Sequence, residues 1–355
     1  MKALILAGGS GTRLRPFSHS TPKQLVPVAN KPVLFHALES LRDAGITEVG
    51  MIVNAGRSDI RSAVGDGDGF DLSISYIPQD QPRGLAHCVV IAQEFLGDDD
   101  FMMYLGDNVF SHGLADLAAR FRADGPDAQL VLVKVSDPSE YGVAEIDSEG
   151  RVTSLEEKPS SPRSDLAVTG AYFFSAAIHD AVRGIRPSWR NELEITDAIK
   201  WLVDAGADVR AHVYSGYWKD TGNFRDLLEC NRVLLDNTTG SVRGNVDAIS
   251  QIGAGVLVER GATVRSSRID GPVVIGSGAT IINSYIGPYT AVGTGCVVEN
   301  AGVEDSILLD RASVRDVRDI KGSLIGRASG VSRGHPEMRA HRLIVGDDSR
   351  IEVPA

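Results

Sequence analysis

The chain has 355 residues, of which 43% are hydrophobic and 23% charged, with a formal net charge of −11. That length suits two domains with a large buried core, and the composition is that of a globular rather than a disordered chain. The acidic balance argues against nucleic acid or an anionic membrane as partner, yet it leaves room for an anionic small substrate held by a few local cations.

Taken in chain order, residues 3–6 read as a buried strand, continuous in its apolar character because both sheet faces are covered. A helix is expected at 32–44, with Pro32 in its first turn and Gly45 at its C-terminal cap. Strands at 48–54, 72–77 and 101–105 alternate with helices at 57–64 and 85–95, which predicts a parallel α/β sheet with right-handed crossovers. Further strands follow at 129–135, 142–147, 152–157 and 168–175, with helices at 194–205 and 224–235. The short apolar run at the N-terminus fits neither a signal sequence nor a membrane span. The three cysteines, Cys88, Cys230 and Cys296, have no paired spacing, so no zinc motif or disulfide framework is expected. A cytoplasmic location follows as the expectation.

After about residue 245 the pattern changes. Ile252, Val258, Val264, Ile269, Ile275, Ile281, Ile286, Val292, Val298 and Val303 recur at intervals of six, six and five, a period of 17. Neither a helix nor an ordinary strand has that period. Turns every five or six residues instead predict a three-sided β-solenoid. Gly253, Gly276, Gly287, Gly293 and Gly326 are expected at its corners, in conformations that side chains resist.

The candidate chemistry begins at the first βα connection, Leu6-Ala7-Gly8-Gly9-Ser10-Gly11-Thr12-Arg13-Leu14. A glycine-rich turn after a buried strand lets backbone N–H groups approach phosphate. Its spacing matches neither a Walker loop nor a dinucleotide fingerprint. By itself it is equally well a tight turn, but Arg13 and Lys23 add two cations suited to a triphosphate, whose charge grows on the leaving pyrophosphate. Asp107 follows a buried strand and Asp220 lies 113 residues later, after a strand-like run at 209–218. Either aspartate alone reads as a turn residue. On their own, Gln79 reads as an exposed loop amide and Glu156-Glu157-Lys158 as a charged strand end.

GGSGTRLRP at 8–16, Thr21-Pro22-Lys23-Gln24-Leu25, Gly84-Leu85-Ala86, Leu105-Gly106-Asp107-Asn108, Tyr141-Gly142-Val143, Glu156-Glu157-Lys158-Pro159, the stretch 167–172 and Trp218-Lys219-Asp220-Thr221-Gly222 together resemble the sugar nucleotidylyltransferase family. Within it the chain is most similar to the glucose-1-phosphate thymidylyltransferases. The resemblance implies a Rossmann-like, mostly parallel mixed sheet followed by a left-handed β-helix, with domains at 1–240 and 241–355. It implies transfer from dTTP to glucose 1-phosphate with Mg2+. It assigns the nucleotide to Gly8, Gly11, Thr12, Arg13, Lys23, Gln24, Gln79 and Gly84. The sugar phosphate falls to Asn108, Gly142, Glu157, Lys158, Val168 and Tyr172, the metal to Asp107 and Asp220, and catalysis to Arg13, Lys23, Asp107 and Asp220. No covalent intermediate is implied, because an anionic phosphate is already a nucleophile.

The chain departs from short-form relatives at His87, where they usually carry Gln, and at Asp80-Gln81-Pro82-Arg83. Its solenoid replaces their C-terminal helical segment, as in long-form enzymes of archaea and of antibiotic deoxysugar pathways such as the streptomycin type. Three other readings stand beside this one. They are a UTP-preferring or broader-specificity transferase, a solenoid acetyltransferase using His335 or His341, and a non-catalytic subunit of the same fold. The solenoid is expected to serve homo-oligomerisation, and residues 332–355 to cap it.

Overall fold

A computed structural model describes residues 1–9, 11–334 and 348–349. By its contacts the chain divides into two units, Met1–Ser10 with Leu34–Asp220, and Gly11–Val33 with Thr221–Ala355.

The first unit is built on a nine-stranded mixed sheet. Its strands are β1 (Lys2–Leu6), β2 (Glu48–Asn54), β3 (Ser73–Gln79), β4 (Phe101–Leu105), β6 (Ala128–Lys134), β7 (Gly142–Ile146), β8 (Val152–Glu157), β9 (Leu166–Phe174) and β10 (Val209–Val213). Outside it, β5 (Asn108–Phe110) and β11 (Trp218–Asp220) form a two-stranded ladder. The main path runs β8-β7-β9-β4-β1-β2-β3, with β6 on β9 and β10 on β6. Strands β4, β1, β2 and β3 are mutually parallel, whereas β9 runs antiparallel to β4. The carboxyl ends of the four parallel strands therefore share one edge, the usual place for ligands in such sheets. The helices are α1 (Val33–Asp43), α2 (Asp59–Val64), α3 (Leu85–Ile91), α4 (Gln93–Leu96), α5 (Ala115–Asp124), α6 (Ile178–Gly184) and α7 (Ile195–Asp204). Leu4, Ile52, Val89, Phe101, Leu130, Phe174 and Ile199 lie in one apolar core that joins sheet and helices.

Three local expectations are corrected, and two helices lie where none was expected. Pro32 closes a short hairpin with Pro27 instead of opening α1. The helix expected at 85–95 is broken at Ala92 into α3 and α4. Helices α5 and α6 went unrecognised. The strand-like run 209–218 ends at Val213, and Asp220 lies inside β11 rather than after a strand.

The second unit contains the left-handed β-helix, with parallel sheets of six, six and five strands. Ile252, Ile269, Ile286, Val303 and Ile320 pair in sequence, one per coil, as the period of 17 requires. One coil is irregular: Val292 pairs with Leu308 and Val298 with Val314, so a residue is dropped after Val303 and regained before Ile320. The glycine expectation is corrected too. In Ile275-Gly276-Ser277-Gly278 the left-handed corner is Gly278, at φ 67°. Gly276 is instead a site of close approach, since a Cβ there would stand 2.8 Å from the Gly293 carbonyl carbon of the next coil. Helix α8 (Phe224–Asp236) covers one face through Leu228 and Leu235 against Val274, Ala291 and Ile307, and Arg232 pairs with Asp305. His335, His341 and most of the segment 332–355 lie outside the described residues.

Candidate active site

Three of the proposed site positions of the first unit leave the shared edge of the parallel strands. Gly8 follows β1, Gln79 ends β3 and Asp107 follows β4. Gly8 packs closely on Gln79: a Cβ on it would lie 3.2 Å from Gln79 Oε1, so the amide would have to give by a few tenths of an ångström. Gln79 is not the exposed loop amide that the sequence left open: it is 8% exposed, and its Nε2 lies 3.2 Å from His87 Nδ1 and 3.3 Å from Cys88 Sγ. Gly84 caps α3 at φ 95°, and a Cβ on it would meet the Leu193 carbonyl oxygen at 2.3 Å. Only glycine satisfies both the dihedral and the approach.

The β5–β11 ladder sets the backbone of Asp220 beside that of Asn108, next to the other candidate metal ligand, Asp107. Trp218 Nε1 donates to Asn108 Oδ1 at 2.7 Å, and Asn108 Nδ2 donates to Asp107 Oδ1 at 3.1 Å. An indole thus fixes an amide, and the amide fixes a carboxylate, with Asp107 only 7% exposed. Gly170 makes room for this chain, since a Cβ there would fall 2.4 Å from Asn108 Oδ1. No group of three or more His, Cys, Asp or Glu side chains suited to a metal occurs among the described residues. Two carboxylates with all-oxygen chemistry nevertheless fit a hard divalent cation that takes its remaining ligands from phosphates and water.

Three of the sugar-phosphate candidates, Gly142, Glu157 and Val168, meet at another point. From a Cβ placed on Gly142, Thr196 Cγ2 is 2.8 Å away, Glu157 Oε2 3.4 Å and Val168 Cγ2 3.6 Å. Glu157 ends β8 opposite Gly142, so the strand register sets its place. Its Oε2 accepts a 3.1 Å hydrogen bond from Thr196 Oγ1, and Arg190 Nη1 stands 3.5 Å from Oε1. Lys158 holds φ 44°, a left-handed conformation costly for lysine, with its N–H bonded to the Tyr141 carbonyl. Tyr172 is buried on β9, and burial first, then the charge of Glu157, push its phenol far above the usual range. It therefore stays a hydrogen-bond donor. Thr196, Arg190 and Trp218 received no role from the sequence. Trp218 stood inside a recognised stretch, but Arg190 and Thr196 flank what reads only as the start of an amphipathic helix.

In the second unit, Gly11 caps a short 3-10 turn, Thr12–Leu14, at φ 63°. A Cβ on it would lie 2.9 Å from Lys23 Cβ, so Gly11 and Lys23 are neighbours. Thr12 and Arg13 are exposed and Lys23 is half-buried. Gln24 is 1% exposed, and its Oε1 has no hydrogen-bond partner among the described residues. Such a buried acceptor carries a cost of about 1–3 kcal/mol unless something donates to it.

The nucleotidyl transferase family model matches residues 2–237, two thirds of the chain. The chain belongs to the nucleotidyl transferase family. Members generally use a divalent metal ion. Among its relatives, a glucose-1-phosphate thymidylyltransferase of Streptomyces griseus is 56% identical over 353 residues, covering 99% of both chains. One from Streptomyces antibioticus is 54% identical over 355 residues, again with 99% of each covered. A solved chain from Bacillus anthracis, assigned as a glucose-1-phosphate thymidylyltransferase, superposes with a TM-score of 0.63 at 35% identity, over 68% of this chain and 98% of that one. The match to these two relatives therefore runs through the residues of the solenoid as well as those of the sheet. No helix among the described residues is long and apolar enough to cross a membrane.

Proposed function

We propose that the chain is a glucose-1-phosphate thymidylyltransferase, joining dTTP and α-D-glucose 1-phosphate to give dTDP-glucose and pyrophosphate. The observation that supports the mechanism most is the ladder that pairs Asp220 with Asn108, the residue next to Asp107. The sugar phosphate oxygen attacks the α-phosphorus of dTTP in line, and pyrophosphate leaves from the opposite side. The nucleophile is already anionic, so no general base is needed and catalysis is positioning plus charge stabilisation. Asp107 and Asp220 would hold a divalent cation, proposed to be Mg2+, which when bound would supply positive charge to the phosphates. Trp218 and Asn108 keep Asp107 in one rotamer. Glu157 accepts from sugar hydroxyls, with Thr196 and Arg190 holding it, while Asn108, Gly142, Val168 and Tyr172 bound the same subsite. Lys158 neutralises the 1-phosphate. Gly8, Gln79 and Gly84 are assigned to the base and nucleoside. Gly11, Thr12, Arg13, Lys23 and Gln24 are assigned to the triphosphate, with Arg13 and Lys23 stabilising the leaving pyrophosphate.

The end of the family match at residue 237 supports a division of labour near residue 240, with the transferase before it and the β-helix after it. We propose that the β-helix joins copies of this chain, a role that also covers the open edges of its end coils. Light scattering on the purified chain reads this as a mass above that of one copy. A cytoplasmic place in dTDP-deoxysugar synthesis fits the product. The test of function is pyrophosphate release from each nucleoside triphosphate with a panel of hexose 1-phosphates and Mg2+. The reading requires dTTP with glucose 1-phosphate to lead, and a preference for UTP over dTTP contradicts it.

A further inference from the structure

The amide of Gln79 is asymmetrically held. Its Nε2 faces two groups of helix α3, His87 Nδ1 at 3.2 Å and Cys88 Sγ at 3.3 Å. The Cys88 thiol hydrogen has its own acceptor, the Gly84 carbonyl one turn earlier at 3.8 Å, so the sulfur meets Gln79 with lone pairs. Burial pushes that thiol up to about 12, so it keeps its hydrogen. His87 is half-buried, and burial first, then Arg83, lowers its basicity, which favours a neutral ring whose Nδ1 accepts when Nε2 carries the hydrogen. Both neighbours are then acceptors, and an acceptor pair demands the NH2 end of the amide. The oxygen is left pointing the other way, toward the Gly8 backbone.

We propose that His87, seconded by Cys88, is a positioning residue that locks the Gln79 amide with Oε1 presented to the base, and that this orientation selects pyrimidines carrying an N3–H donor against those with an N3 acceptor. Thymine and uracil are donors at N3, whereas cytosine is an acceptor there. A site built to receive a donor rejects a ligand that offers a second lone pair, because both groups stay unpaired in a buried place. The inference rests on the reading above that Gln79 meets the base. It selects dTTP and UTP together against dCTP and leaves the choice between dTTP and UTP to other contacts.

The test uses the full chain with glucose 1-phosphate and measures kcat and KM for dTTP, UTP and dCTP. His87→Ala and His87→Leu both remove the acceptor from a half-exposed helix position where neither residue disfavours helix, so the test does not depend on one variant folding. The dTTP-to-dCTP ratio of kcat/KM is expected to fall at least about fivefold in either variant, through nucleotide KM rather than kcat. The dTTP-to-UTP ratio should hold within about twofold, since these bases share an edge. His87→Asn, whose Oδ1 takes the place of Nδ1, should restore most of the discrimination. Gln79→Leu separates the two readings. If it collapses the dTTP-to-dCTP ratio while His87→Ala and His87→Leu leave it at the wild-type value, the inference about His87 is overturned and the base-reading role of Gln79 survives. If Gln79→Leu itself leaves the ratio unchanged, the base-reading role is what fails.

Discussion

Gly142→Ala is the sharpest probe of the sugar subsite, because the added atom is one carbon and its surroundings are known. Gly142 is absent from the left-handed region, so its backbone accepts alanine without strain. The new Cβ would stand 2.8 Å from Thr196 Cγ2, whereas carbon atoms in contact keep about 4 Å, so the methyl must retreat by roughly 1 Å. Thr196 Oγ1 moves with it, and the 3.1 Å bond to Glu157 Oε2 stretches beyond hydrogen-bond range. Loss of a hydrogen bond to a charged group costs about 1.5–3 kcal/mol, which corresponds to roughly a ten- to hundredfold rise in KM for glucose 1-phosphate. The same crowding should lower stability by about 1–3 kcal/mol, read as a lower Tm. Steady-state kinetics with each substrate varied in turn decides the matter. A folded variant with unchanged KM for the sugar phosphate, or with the penalty falling on dTTP instead, refutes the placement of Glu157 at the sugar.

Three further outcomes follow from single contacts. Trp218→Phe keeps the ring but removes the donor to Asn108 Oδ1, and it should lower kcat about tenfold with little change in Tm, as stopped-assay kinetics and calorimetry would read. Gly84→Ala must overcome both φ 95° and a 2.3 Å collision with the Leu193 carbonyl, so thermal unfolding should show a loss of about 3 kcal/mol or more, or no folded protein. The thiols give a pH-dependent outcome: burial pushes Cys88 up to about 12 and Cys296 up to about 11, from an ordinary value near 9. Native protein at pH 8 should leave both unlabelled by iodoacetamide, and stability should fall as pH rises above about 9, where the unfolded chain ionises these thiols and the folded chain does not.

The solenoid was the most legible part of the sequence, because each coil repeats the same interior positions and Ile252 through Ile320 pair as the period demands. The corner glycines were misplaced because residue type alone does not separate a left-handed dihedral, as at Gly278, from a backbone approach, as at Gly276. The parallel half of the sheet was legible from alternating strands and helices. The antiparallel β9 was not, since an apolar run looks the same whichever way its neighbour runs. At the candidate site, Asp107 and Asp220 were visible as types, but only the β5–β11 register sets Asp220 beside the residue next to Asp107. Arg190 and Thr196 carried no signal, because their significance depends on Glu157, more than thirty residues earlier in the chain.

In the proposed chemistry Asp107 and Asp220 would jointly hold the divalent ion under which one phosphate attacks another. The direct measurement is isothermal titration of Mg2+ into the dTTP-bound chain and its Asp107→Asn and Asp220→Asn variants, paired with single-turnover pyrophosphate release. Each substitution should weaken metal affinity and slow the chemical step by about a hundredfold or more while the fold persists. Wild-type metal affinity and wild-type turnover in either folded variant would contradict it.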